Sequence, residues 1–359
     1  MPIDEMEIPR YVVMGENATS YLPKIVKKLN LKKVLIITGK KNTKRITEKK
    51  VVPLLTNEIN IEVISIDSKI DFHTVKEIFE NCQEKRYDAI LAAGGGGVID
   101  CGKITASWLD IPFISYPTAA SHDGISSPSI SFLLREEIKR YGKFSNIVKS
   151  PIAIIADTEV ISQAPKRLLI SGFGDMIAKY TAVRDWKLAH KLRNEPFSEY
   201  AASMALMSAK VVRNNIPIIR HGGEKAARVI TKALIGSGVS MAIAGSSRPA
   251  SGAEHMFSHA LDLLSEKYNF KRALHGEQCG VGSIVTAYLH GMNWRKIRNA
   301  LRAVGAPTTS KELGIADEYL IEALHIAHTI RPERYTILGD KGISREAAEE
   351  ALRVTGIIK

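Results

Sequence analysis

Ala89–Ala93 is a short apolar run that passes directly into four consecutive glycines, Gly94–Gly97, and then into Val98-Ile99-Asp100-Cys101-Gly102-Lys103. A strand apolar on both faces must be covered by helices on both faces, which points to a parallel α/β sheet. One glycine would make the strand-to-helix turn. Several in succession let the backbone approach a ligand closely, and the helix N-terminus adds free N–H groups and a favourable dipole. The segment therefore reads as a diphosphate cradle.

Runs of the same kind recur at Lys33–Thr38, Ile61–Ile66, Phe113–Tyr116 and Ile152–Ala156, with a helical stretch at Thr74–Lys85. Ile125–Tyr141 breaks the alternation and reads as a hairpin ending near Arg140-Tyr141-Gly142. After about Val160 helical periodicity takes over, at Asp175–Lys191, Pro196–Asn214, Gly223–Ala244 and Gly280–His290. The expected organisation is an α/β N-terminal, Rossmann-like domain with a parallel sheet over residues 1–160, followed by an all-α C-terminal domain over residues 161–359.

The chain has 45% apolar and 25% charged residues, as an ordinary globular protein does. No run approaches the roughly 20 apolar residues of a membrane span. MPIDEMEIPRYVV lacks the basic-then-apolar order of a signal peptide. Cys82, Cys101 and Cys279 are too far apart for a disulfide framework or thiolate metal cluster, so a cytoplasmic protein with reduced thiols is expected. The net charge of +12 comes from scattered residues with one local cluster, Lys40, Lys41, Lys44, Arg45, Lys49 and Lys50, and no aromatic interleaving. This favours a solvated surface and a small anionic ligand over nucleic acid. Lys40 and Lys41 also stand after the first expected strand, where an acid would bind a ribose 2′-hydroxyl. A 2′-phosphate is tolerated there, which favours NADP or dual use.

His255 and His259 lie one helical turn apart, and His275 opens His275-Gly276-Glu277. Asp175, in Gly172-Phe173-Gly174-Asp175, adds a carboxylate. Two imidazoles and a carboxylate suit a borderline metal such as zinc, with one position left open for catalysis. On the pattern alone, both histidines of the pair could bind metal, or one could bind metal and the other substrate. Asp175 alone could be a helix cap.

The glycine turn, Pro117-Thr118-Ala119-Ala120-Ser121-His122-Asp123-Gly124, the Asp175 motif, the histidine pair and His275-Gly276-Glu277 occur in this order in one superfamily. It contains the metal-dependent polyol dehydrogenases, the iron-type alcohol dehydrogenases and the dehydroquinate synthases. The chain resembles it from about Tyr11 to about Gly305, and looks most like its sn-glycerol-1-phosphate dehydrogenase branch. The resemblance implies reversible reduction of dihydroxyacetone phosphate, a small phosphorylated substrate, to sn-glycerol 1-phosphate for archaeal-type membrane lipids. NAD(P)H and Zn2+ would be the cofactors, and an oligomer of identical chains is expected.

By that resemblance, Gly95, Gly96, Gly97, Val98 and Asp100 would hold the cofactor diphosphate and its surroundings. Thr118, Ala119, Ala120 and Ser121 would pass beside the nicotinamide half, with Ser127 nearby. Asp175, His255 and His275 would bind zinc, Asp123 would contact substrate, and His259 would face it. Asp175 and His259 would carry the catalysis, and Asp175 would also contact substrate. His122 and Cys279 are left outside the site. Gly97 departs from the polar or longer residue often found after three glycines. Lys179 replaces a further histidine ligand of the iron-type enzymes, which favours the three-ligand zinc form. A glycerol or other polyol dehydrogenase, and a cyclising lyase of the dehydroquinate synthase type, remain alternatives. The lyases use a glutamate where Asp175 stands. A nucleic-acid-binding protein would leave the glycine turn and the metal donors unexplained.

Overall fold

Neighbouring side chains on the central strands serve opposite cores, as a sheet buried on both faces requires. The computed structural model describes residues 6–67, 70–142 and 144–359. Its strands are β1 (Tyr11–Gly15), β2 (Lys33–Gly39), β3 (Asn60–Ile66), β4 (Ala89–Gly94), β5 (Phe113–Pro117) and β6 (Ala153–Asp157). They form one parallel sheet in the order β1-β6-β5-β4-β2-β3. Val34 and Ile36 join a core with Leu22, Val26 and Leu55, whereas Leu35 and Ile37 join one with Val75, Ile99 and Ile104 on the other face. The strand order reverses between β2 and β4. Open α/β sheets bind ligands outside the carboxyl ends of their strands at such a reversal, and the glycine turn leaves β4 at this point.

β1 was not among the expected strands. It is a five-residue edge strand with Val12 47% exposed, and it is held by pairing with β6, from Tyr11 opposite Ala153 to Gly15 opposite Asp157. Nothing local in so short a run reveals a partner that distant.

The hairpin expected over Ile125–Tyr141 does not form. Asp123–Ile125 makes one 3-10 turn and Phe132–Tyr141 is an α-helix ended by Gly142 at φ 61°. Leu134 and Ile138, one turn apart, are buried on the face toward the sheet core, and Phe132 is buried against His259. Arg135, Glu136, Glu137, Lys139 and Arg140 are good helix formers, and glycine accepts the left-handed cap without strain.

Beyond β6 the described residues are helical, with Lys166–Arg193, Glu199–Asn214, Gly223–Ala244, Ala253–Tyr268 and His275–Leu289 as the principal elements. Gly223–Ala244 is long and apolar enough to cross a membrane, but 67% of its most apolar window is buried here. Ile230 and Leu234 sit fully in the helical core. Glycines let the Asp175 helix (Lys166–Arg193) meet its neighbours backbone to backbone. A Cβ on Gly172 would lie 2.2 Å from the Ala120 carbonyl oxygen, and one on Gly276 would lie 1.9 Å from that of Ser171. Asp175 is thus an interior helical residue and not a cap, pressed against the loop after β5 and the start of the His275 helix (His275–Leu289).

Candidate functional site

A cavity of about 550 Å3 opens between the carboxyl end of the sheet and the helices. Gly95, Gly96, Gly97, Asp100, Ala119, Ser121, His122, Asp123 and Ser127 line it from one side, and His255, His259 and His275 from the other. Residues distant in sequence therefore converge on one space.

The glycine turn has more than one physical cause. A Cβ on Gly94 would strike Val98 at 2.5 Å, and one on Gly96 would strike the His122 ring at 2.2 Å, whereas Gly95 has nothing within 4 Å. Gly94 permits the turn and Gly96 permits His122 to pack against it. Gly95 leaves its space open. No side chain caps the helix Gly96–Trp108, so its first N–H groups suit an anionic ligand. The donors fit a dinucleotide diphosphate.

The other expected cofactor residues divide into two sets. Ala119, Ser121 and Ser127 reach the cavity, and the Ser127 hydroxyl is buried without a partner. Val98, Thr118 and Ala120 are buried and do not line the cavity. Val98 packs behind Gly94, the Thr118 N–H donates to the Gly94 carbonyl at 3.0 Å, and the Ala120 carbonyl faces Gly172. Asp100 lines the cavity, and its Oδ2 accepts the Ser131 N–H at 2.8 Å. Burial holds its carboxyl above the usual range, against Lys103 and His122. Lys103 donates to the Gly124 and Ser129 carbonyls at 2.8 and 2.6 Å, so Asp100 and Lys103 together fasten the loop that presents Ser127. Lys40 is paired with Asp67, at the end of β3, at 2.6 Å.

The deepest part of the site is a cluster of charge. The Asp175 carboxylate is fully buried. Its Oδ1 accepts from Lys179 Nζ at 2.6 Å, its Oδ2 accepts the Asp123 N–H at 2.8 Å, and His255 Nε2 lies 3.6 Å from Oδ1. Burial alone would raise the Asp175 pKa, but Lys179, His255 and His275 bring it well below the usual carboxylate range. The His255 Nδ1–H donates to Glu254 Oε1 at 2.8 Å. Glu254 thereby holds the Nδ1 proton, so that Nε2 is the nitrogen a metal ion would take once it displaces the proton there, the arrangement usual behind a metal-binding histidine. Burial opposes charge on His255, yet Cys279, Asp175 and Glu254 draw it well above its ordinary value. His275 is pushed down to about 3 by burial and by His255.

These donors fit a metal ion. Ligand atoms around a tetrahedral zinc lie roughly 3.4 Å apart, comparable with the 3.6 Å between Asp175 and His255. His275 Nε2 and Cys279 Sγ are 3.5 Å apart, and one donor atom each from His255, His275 and Cys279 lies within 4.8 Å of the others. Cys279 is the buried thiol anticipated, but it faces the cluster. Lys179 extends its ammonium between Asp175 and Asp123, 2.8 Å from Asp123 Oδ2, which also accepts from Ser237 at 2.7 Å. Asp123 thereby spans the cofactor side and the metal donors.

His259 stands apart from this hydrogen-bonded set. Its ring stacks on Phe132 at 4.5 Å, its Nδ1 is buried without a partner, and it lies 5.9 Å from the His275 ring. Burial, then Arg331, holds it well below the usual imidazole value. Two residues left outside the site belong to it by position: His122, stacked edge-on to His275 at 6.0 Å, and Cys279. Neither a turn-like Ser-His-Asp-Gly stretch nor an isolated cysteine signals such a placement in sequence. Three further lining residues, Arg135, Ser247 and Arg331, carry no motif at all.

Residues 13–165 match the family described as iron-containing alcohol dehydrogenase. The fold is shared with a probable glycerol dehydrogenase from Sinorhizobium meliloti (TM-score 0.77, 18% identity, 98% of each chain). It is shared also with a glycerol dehydrogenase from Schizosaccharomyces pombe (TM-score 0.78, 21% identity, 99% of this chain and 91% of that one). Much nearer in sequence is the glycerol-1-phosphate dehydrogenase [NAD(P)+] of Pyrococcus horikoshii, 51% identical over 98% of this chain and 99% of its own. The protein of that name from Methanosarcina acetivorans is 47% identical over 98% and 96%. With that identity extending over almost the full length of both chains, the chain belongs to the glycerol-1-phosphate dehydrogenase family.

Proposed function

We propose that the protein catalyses reversible NAD(P)H-dependent reduction of dihydroxyacetone phosphate to sn-glycerol 1-phosphate, the backbone of archaeal-type membrane lipids. The carrying observation is that the uncapped, glycine-led helix N-terminus and the His255 and His275 rings border one cavity, with the buried Asp175 carboxylate behind them, 3.6 Å from His255 Nε2. Near relatives named for this activity support the substrate assignment and do not favour the polyol dehydrogenase or lyase alternatives. Residues 1–160 are assigned to the cofactor and 161–359 to metal and substrate, in the cytoplasm, a location supported by three free cysteines.

Asp175, His255 and His275 would hold zinc, which supplies a positive charge to stabilise the oxyanion that develops on the substrate carbonyl. NAD(P)H supplies the hydride. Glu254 keeps His255 in one tautomer. Lys179 and Ser237 hold Asp123 Oδ2, which fixes the carboxylate and leaves Oδ1 for a substrate hydroxyl. Phe132 locks the His259 ring and shields it from water. As a neutral imidazole, His259 would donate one N–H hydrogen bond to the product oxygen, and the proton that oxygen gains comes from solvent water in the cavity. Lys40, paired with Asp67 at 2.6 Å, and Lys41 follow β2 and are the residues that would meet a 2′-phosphate.

The test is oxidation of NADPH and NADH with dihydroxyacetone phosphate, dihydroxyacetone and, in reverse, glycerol. A much higher kcat/KM for dihydroxyacetone phosphate is expected, with sn-glycerol 1-phosphate as product. Equal or better turnover of dihydroxyacetone reassigns the enzyme to glycerol dehydrogenation. A reaction without net consumption of cofactor points to the lyase.

A further inference from the structure

The phosphate ester of the proposed substrate is one carbon from the reacting carbonyl, so its binding site must border the metal donors. Three arginines line the cavity: Arg135, Arg272 and Arg331. Arg272 acts electrostatically on an acid of the same wall, Asp262. Arg331 and Arg135 have no comparable acceptor facing the cavity. Among the described residues Arg331 donates through Nη1 only to the Ser247 hydroxyl, at 3.2 Å, and its Nε is buried without an acceptor. Arg135 Nε is likewise buried and unbonded, with Glu136, its chain neighbour, 3.7 Å away.

Arg334 adds a third positive charge behind them, donating to Ser247 Oγ at 3.0 Å and to the Ser251 carbonyl at 2.9 Å. Burial, then Arg334 and Arg135, pushes the Arg331 guanidinium down to about 8, only partly opposed by Glu333 and Glu136. Packing guanidinium groups together out of water is costly unless an anion joins them.

The position of Arg331 is built and not incidental. Its segment is irregular, yet Arg248 donates to the Tyr335 carbonyl at 2.9 Å, Arg334 to that of Ser251, and the Ile337 N–H to Asp185 at 2.7 Å. Asp185 also accepts the Ala253 N–H at 2.7 Å, at the start of the helix that carries His255 and His259. The arginine segment and the histidine helix are thus tied to one carboxylate. Arg331 and Arg135 line the same cavity as His259 and oppose a positive charge on its ring.

We propose that Arg331, with Arg135 opposite and Arg334 behind it through Ser247, forms the subsite for the substrate's phosphate and sets the preference for phosphorylated over unphosphorylated triose. This rests on the phosphorylated-substrate reading above. A guanidinium offers two parallel donors to phosphate oxygens, and lysine offers only a point charge. The same segment lies past Gly305, beyond the part of the chain with recognisable motifs.

The test compares kcat/KM for dihydroxyacetone phosphate and for dihydroxyacetone in the metal-loaded wild type, Arg331→Met, Arg331→Lys and Arg135→Met. Metal content and NADPH affinity are measured on each. Arg331→Met should lower the ratio of the two kcat/KM values by about 100-fold, with Arg331→Lys intermediate and Arg135→Met about 10-fold. In the wild type, inorganic phosphate should inhibit competitively against dihydroxyacetone phosphate, and the inhibition should weaken in Arg331→Lys. A wild type with no preference for the phosphorylated substrate overturns the functional reading. A wild type with that preference whose ratio survives Arg331→Met overturns the subsite alone. So does an Arg331→Lys variant with unweakened phosphate inhibition, a test that stands even if Arg331→Met fails to fold. Inorganic phosphate that competes with NADPH instead assigns the arginines to the cofactor.

Discussion

The carbonyl oxygen of Gly276 lies 2.1 Å from where a Cβ on Gly174 would stand. No side chain fits between them. This contact sets the distance between two helices, one carrying Asp175 and the other beginning at His275, and so sets the separation of two proposed metal donors. Gly174→Ala should force the helices apart, because the obstacle is backbone and not a flexible side chain. Overpacking of this kind costs about 3 kcal/mol or more, and metal content should fall with stability. Gly95→Ala is the control, since nothing lies within 4 Å of its Cβ. It should change stability by less than about 1 kcal/mol while weakening NADPH. Thermal unfolding and metal analysis of both variants check this, and a fully loaded Gly174→Ala would break the link between helix spacing and the site.

The legible parts of this fold are those with local patterns. Continuous apolar strands, the glycine turn and the helical pair His255/His259 each follow from periodicity or from steric rules that operate within a few residues. Gly172, Gly174 and Gly276 were visible as a motif, but their cause, helices touching backbone to backbone, exists only in three dimensions. β1 needed a partner strand at Ala153–Asp157. The helix Phe132–Tyr141 takes the place of the expected hairpin because Leu134 and Ile138, one helical turn apart, bury into a core whose other residues are distant in sequence. Arg331 could not be read at all. It sits in irregular chain, one arginine among many, and its place on the cavity wall exists only in three dimensions.

The histidine pair has a direct chemical test. Asp175→Asn, His255→Ala and His275→Ala should each lower metal content and nearly abolish turnover, while NADPH still binds. His259→Ala should keep its metal and lose turnover, since its ring lies against Phe132 and not in the hydrogen-bonded donor set. Metal analysis of the purified variants decides this. A loaded His255→Ala with an empty His259→Ala would reverse the two roles. Cys279→Ala belongs in the same series. Retained metal would leave the thiol as packing, and an empty site would make it a ligand.

Asp262 predicts a pH dependence of stability. Burial raises its carboxyl from an ordinary value of 3.8 to about 7, against Arg272 and Gln278. The folded state therefore binds a proton that the unfolded chain releases near 3.8, so this contribution is complete below that pH and lost as pH rises through about 7. Asp262→Asn should flatten the loss. Because the residue lines an open cavity, the gain at pH 8 is discounted to ~1–3 kcal/mol. Urea unfolding of both proteins at pH 5 and pH 8 measures it, and an equal pH response in both would mean that solvent reaches the carboxylate.

Lys179 predicts a coupling between metal and stability. Its ammonium bridges Asp175 and Asp123 at 2.6 and 2.8 Å, wholly out of water, and those two carboxylates raise its pKa above the usual lysine range against the effect of burial. Lys179→Met leaves the buried Asp175 carboxylate and the partly buried Asp123 carboxylate without that cation. Removing one partner of such a cluster costs about 3–5 kcal/mol. A divalent ion held by Asp175 would restore part of the missing charge. The variant should therefore lose most stability in metal-stripped protein and recover part of it with zinc, so that zinc raises the Tm of Lys179→Met more than that of the wild type. Thermal unfolding of both proteins with chelator and with added zinc gives the four values needed. An equal zinc-induced shift in the two would show that Lys179 and the metal do not share the Asp175 carboxylate.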